Sequence, residues 1–141
     1  MPDLLHEISV QAPPERVYAA LTTPDGLRAW WTVDVTAEER VGGRARFGFN
    51  QSATVFHMRI EELTPFARVI WSCQGDPDEW KDTTLTWQIA PVEGGSILQF
   101  RHGGWRAETR LLAICNSSWG ELMHRIKAYA EGKNPGPHWT Q

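Results

Sequence analysis

His102 is the residue whose type and setting come nearest to chemistry. Alternation along Leu98, Phe100 and His102 turns it inward among apolar neighbours, where an imidazole that titrates near neutrality can orient a ligand or act as a general base. The competing reading is a structural histidine whose ring nitrogens are satisfied by hydrogen bonds. Glu61 and Glu62 are adjacent carboxylates, but neighbours on a strand point to opposite faces, so they do not make an acid/base pair. Arg44 and Arg46 share a strand face and could hold an acidic head group, although arginines so spaced commonly decorate a solvated surface. Gly75-Asp76-Pro77-Asp78-Glu79-Trp80-Lys81-Asp82 is an acidic loop that could gate a cavity mouth or take a cation; its spacing matches no calcium loop, and a solvated turn explains it without a ligand. His6, His57, His102, His124 and His138 show no metal-ligand spacing. No nucleophile elbow, zinc-protease helix, P-loop or dinucleotide fingerprint occurs, so neither a metal nor a cofactor is expected.

The elements that would position these residues follow from periodicity. Leu4, His6, Ile8 and Val10 alternate with polar partners and predict an opening strand. Pro13-Pro14-Glu15 then starts a helix with Val17, Ala20 and Leu21 as its buried stripe, and Thr23-Pro24-Asp25 caps a second carrying Leu27, Trp30 and Trp31. From about residue 32 to residue 102 the chain reads as an antiparallel meander broken at Gly42-Gly43, Asn50-Gln51-Ser52, Thr64-Pro65, the acidic loop and Gly94-Gly95. Its apolar face holds Ala45, Phe47 and Phe49; Phe56, Met58 and Ile60; Val69, Trp71 and Cys73; Leu85, Trp87 and Ile89; and Leu98, Phe100 and His102. Helical spacing at Leu112, Cys115, Trp119, Leu122, Ile126 and Tyr129 predicts a long closing helix from about Ala107 to Glu131, ended by Gly132 and Pro135. Gly120 inside that helix suggests a close approach of backbone or ligand. Residues 1–132 are expected to form one domain and 133–141 a poorly ordered tail.

Eight tryptophans in 141 residues exceed what an ordinary core needs, and a pocket lining would use the surplus. A net charge of −3 gives no basic excess for nucleic acid or anionic membrane, and no window resembles a signal peptide or a membrane span. Cys73 and Cys115 are far apart and expected to be reduced and buried, which suits a cytoplasmic protein. The N-x-S matches at Asn50 and Asn116 would count only in a secreted chain.

The order strand, two short helices, six strands and a long helix resembles the START-like, helix-grip superfamily over nearly the whole chain. Ile8-Ser9-Val10-Gln11-Ala12-Pro13-Pro14-Glu15-Arg16-Val17-Tyr18-Ala19-Ala20-Leu21 is similar to that family's opening, and Leu27 with Trp30-Trp31 to its second helix. Gly42-Gly43-Arg44, Thr84-Leu85-Thr86-Trp87, His102-Gly103, and Trp119 followed by Arg125-Ile126-Lys127-Ala128-Tyr129 and Gly132 resemble the branch related to the activator of heat-shock-protein-ninety ATPase. The resemblance implies an α+β fold in which a curved antiparallel sheet of six or seven strands wraps a C-terminal helix. It also implies a cavity for a small apolar molecule, lipid-like or polyketide-like. Trp30, Phe56, Met58, Trp71, Trp87, Phe100, His102, Trp105, Trp119 and Met123 are the expected lining, with His102 the candidate catalytic group if the protein is a cyclase, dehydrase or hydrolase. A chaperone partner is the third expectation, weakened because co-chaperones of this branch carry a preceding docking domain that this sequence lacks. The chain is expected to be a monomer or a homodimer.

Overall fold

In the computed structural model, residues 2–49, 51, 53–75 and 77–140 are described; Asn50, Ser52 and Asp76, which belong to two of the expected turns, lie outside them. Strand β1 spans Leu4–Val10, helix α1 Pro14–Thr22 and helix α2 Pro24–Trp30. Strands β2 (Asp34–Ala37), β3 (Arg44–Phe49), β4 (Thr54–Thr64), β5 (Arg68–Cys73), β6 (Thr84–Val92) and β7 (Gly95–Gly103) follow, with a 3-10 turn at Asp78–Trp80, and helix α3 (Arg110–Ala130) comes last. This is the α+β helix-grip arrangement with the two short helices where the sequence placed them.

The sheet order is β1-β7-β6-β5-β4-β3-β2, and every neighbouring pair is antiparallel. Consecutive strands pair by local hairpins, but β1 crosses to the far edge and pairs with β7, Leu4 opposite His102. The period-two pattern decides which face is covered. The inward residues of β3 and of β5 to β7 are all buried, as are Met58 and Ile60 of β4, and only Phe56 remains half exposed. Between Ile60 and Glu62 the register of β4 shifts by one residue, so Glu61 is an extra residue in that strand. Glu61 accepts from Arg59 and Ser72 while Glu62 accepts from Thr64, so the two carboxylates serve separate surface networks. Arg46 pairs across strands with Asp34 at 2.7 Å.

Helix α3 covers this face, packing on β1 and touching α1 and α2. It starts three residues later than periodicity suggests. The Thr109 hydroxyl accepts the Leu112 N–H at 3.2 Å, which fixes Thr109 as the cap and leaves Ala107 and Glu108 outside. At its far end Gly132 takes φ +88°, its N–H reaching the Tyr129 carbonyl while the Lys133 N–H reaches that of Ala128, a paired closure that satisfies the last carbonyls. No close approach explains Gly120: a Cβ there would meet the His6 ring at 3.6 Å, an ordinary contact. Among the described residues no helix is long and apolar enough to cross a membrane.

Part of the segment after α3 packs back against the rest of the fold. Residues 135–139 are half buried: the Trp139 N–H donates to the Trp31 carbonyl at 2.9 Å, the Val33 N–H donates to the Trp139 carbonyl at 3.2 Å, and the Trp139 ring stands edge-on to Phe49 at 4.9 Å. An indole in a polar segment buries large apolar area wherever a partner is in reach, and Phe49 supplies one.

Candidate functional site

Five parts of the chain converge along the first half of the closing helix. On α3, Leu111, Cys115, Ser118, Trp119 and Leu122 recur at three- and four-residue spacing and so line one stripe. Phe49 at the end of β3 and Phe56 near the start of β4 face it, their rings 4.8 Å apart. The 3-10 turn drives Trp80 inward against Phe56 at 4.5 Å, and the tail brings Trp139 over Phe49. A recess of about 210 Å³ remains between them. That exceeds the roughly 150 Å³ apolar cavity known to admit benzene and is smaller than the roughly 300 Å³ at which drug-sized sites begin. Its mouth is marked by Ile114, 51% exposed, and among the described residues no charged side chain lines it.

Among the described residues the polar groups in the wall include the hydroxyls of Thr54 and Ser118, the Cys115 thiol and the buried indole N–H of Trp80. Burial pushes that thiol up to about 11, with the Trp80 indole N–H acting weakly the other way. It is therefore a neutral thiol at physiological pH and a poor nucleophile. Cys73, also buried and free, is pushed up to about 12 for the same reason. The described residues of the acidic loop serve packing: Trp80 is 3% exposed, and Arg106 donates to the Asp78 carbonyl at 2.7 Å. Among the described residues no cluster of His, Cys, Asp and Glu could hold a metal.

His102 is fully buried on the other side of Trp119. The Thr83 hydroxyl gives its own proton to the Trp80 carbonyl at 2.6 Å, so toward His102 it can only accept, and the proton between them, over 2.9 Å, belongs to His102 Nε2. His102 Nδ1 then accepts the Trp119 indole N–H at 3.2 Å. Both ring nitrogens are engaged in the neutral form, and burial lowers the ring to about 3 against a small opposing pull from the Asp3 carboxylate. A histidine so placed has no free lone pair for a substrate proton. What it does is lock Trp119, a wall of the recess, to β7.

Of the ten residues expected to line a cavity, Phe56 and Trp119 border the recess. Trp30, Met58, Trp71, Trp87, Phe100, His102, Trp105 and Met123 instead form the packed core beneath it, each 2% exposed or less. Their rings interlock, Trp87 with Phe100 at 4.2 Å and Trp71 with Trp87 at 5.7 Å, so that four of the eight tryptophans, Trp30, Trp71, Trp87 and Trp105, fill the core and the other four border the recess. Sequence reasoning passed over Trp31, Trp80 and Trp139. The available signal was an indole standing in a turn or a tail that is otherwise polar, a costly thing to leave in water.

The family model for activator of Hsp90 ATPase homolog 1-like protein matches residues 11–131. A search of curated proteins finds no match. The solution structure of the Aha1 dimer from Colwellia psychrerythraea is 33% identical, with a TM-score of 0.85, covering 94% of this chain and 98% of its own. DynU16, a putative protein in the dynemicin biosynthetic locus, is 18% identical with a TM-score of 0.79 over 99% of this chain and 51% of its own. CalU16 from Micromonospora echinospora is 17% identical with a TM-score of 0.71 over 92% and 76%. At such identities the last two speak to the fold alone. The extent of the family match and the 33% identity to a full-length neighbour establish that the chain belongs to the family of activator of Hsp90 ATPase homolog 1-like proteins.

Proposed function

We propose that this chain is a cytoplasmic protein that binds a small apolar molecule, lipid-like or polyketide-like, in the recess between the sheet and α3. The observation that carries the reading is an uncharged, ring-lined space of about 210 Å³ open at Ile114. Apolar walls with few convergent polar groups are what small-molecule sites share. An occupant would regain dispersion contacts that the empty walls lack. The location of DynU16 in a biosynthetic locus is in keeping with such a role. The test is a thermal-shift and ligand-observed NMR screen of apolar compounds against the native chain and Ser118→Phe, whose added ring would fill the recess from the solvent-facing side of α3. A true ligand stabilises the native chain by about 2.7 kcal/mol at a hundredfold excess over its Kd and leaves Ser118→Phe unmoved. No stabilisation by any compound, or equal stabilisation of both proteins, would sink the reading.

A second reading rests on the 33% identity to the Aha1 dimer over nearly the full length of both chains. On that reading the protein is a partner of a chaperone ATPase and, like its neighbour, a homodimer. Stimulation of Hsp90 ATPase by the purified chain, undiminished in Ser118→Phe, would favour it; no stimulation at saturating protein would dismiss it.

A further inference from the structure

The family match stops at residue 131, yet one wall of the recess comes from beyond it. After Gly132 the chain runs back across α3 as a strap. Arg125 donates through Nη1 to the carbonyls of Pro135 and Gly136 at 3.2 and 2.7 Å, and His138 Nδ1 lies 3.3 Å from the Glu121 carboxylate. Pro135 and Pro137 fix the backbone on either side of Gly136, whose φ of +73° makes the bend that L side chains resist. The strap ends in the short parallel bridge between Trp139 and Thr32, which holds the indole against Phe49. The other walls at this end cannot yield: Trp31 and Phe49 are 2% and 5% exposed and packed against Phe47, Trp71 and Phe56. Trp139 is the wall carried on the strap, beyond the last helix.

Resting on the reading of the recess as a ligand site, we propose that Trp139 sets the upper size of the molecule admitted, limiting it to uncharged planar compounds of about two fused rings. Planarity follows from walls made of Trp31, Phe49, Phe56, Trp80, Trp119 and Trp139, whose faces favour offset or edge-on aromatic partners. Neutrality follows from a lining that, among the described residues, holds no ionic group to compensate a buried charge. The size limit follows from about 210 Å³ with the strap seated and from the position of the indole, edge-on to Phe49 at 4.9 Å, so that its loss would uncover that ring.

Two probes decide it: naphthalene, read by ligand-observed NMR, and the longer N-phenyl-1-naphthylamine, read by its fluorescence. The native chain should bind naphthalene and take the longer probe at least about tenfold more weakly. Trp139→Phe, and more strongly Trp139→Ala, should tighten the longer probe by about tenfold or more and weaken naphthalene severalfold. The gain must disappear in Trp139→Ala with Ser118→Phe, since a gain that persists there is adsorption to exposed apolar surface and overturns the proposal. Trp139→Phe keeps a ring on Phe49 and supplies the reading if the alanine variant does not fold. Naphthalene bound but the longer probe unaffected by either Trp139 change overturns the strap alone. Neither probe bound by any variant overturns the site reading, and the strap with it.

Discussion

At the scale of single residues, His102 shows how a buried titratable group, with both ring nitrogens bonded inside the fold, couples to stability. Its folded value of about 3 lies below the ordinary 6.5 because burial disfavours the imidazolium. Below pH 6.5 the unfolded chain therefore binds a proton that the fold refuses. This contribution to stability is complete above pH 6.5 and declines by up to about 1.4 kcal/mol per pH unit as pH falls toward 3. His102→Gln can still donate to Thr83 and accept from Trp119 but does not titrate, so urea unfolding between pH 7 and pH 4 should show a distinctly shallower acid limb than the native chain. Identical limbs would mean that some other group governs acid sensitivity.

At the scale of elements, α3 carries one weak turn and one strong start. Gly120 lies in a 21-residue helix with space for a methyl group against His6, so Gly120→Ala should stabilise the fold by about 0.5–1 kcal/mol, measured by chemical denaturation. Destabilisation would show that the contact with β1 is tighter than its 3.6 Å distance implies. Thr109→Ala removes the hydroxyl that accepts the Leu112 N–H and should cost about 1 kcal/mol. The elements themselves were legible because each carries its own period: alternation named the buried face of β3 and of β5 to β7, and three- and four-residue spacing named α3. Its start was misplaced at Ala107 because helix-compatible residues precede the cap, and only the hydrogen bond to Leu112 distinguishes Thr109 from its neighbours. The polar run before Gly120 also separates by turn: Ser118 reaches the recess, whereas Asn116 meets His6 at 3.0 Å on β1.

At the scale of the whole molecule, both ends of the chain are stitched into the sheet region. Strand β1 pairs with β7, Gln11 donates its N–H to Glu131 at 2.7 Å, and Trp139 bridges Thr32. Ending the chain at residue 132 would uncover Phe49 and release Arg125, so it should lower stability by about 1–2 kcal/mol in a calorimetric or urea measurement. An unchanged midpoint would mean that the strap adds nothing to the fold. The sequence by itself determined the strand faces, the cap at Thr23, the glycine that ends α3 and the closing helix itself, because backbone geometry ties each of these to residues a few positions apart. Tertiary structure alone decided where packing stops and space begins. Whether an inward ring is core or lining depends on neighbours from distant elements, and the recess exists because Trp80, from a turn, and Trp139, from a tail, close around a gap that no local pattern records. The same distance in sequence hid the fate of His102, whose partners Thr83 and Trp119 are brought to it only by the pairing of β6 with β7 and the packing of α3.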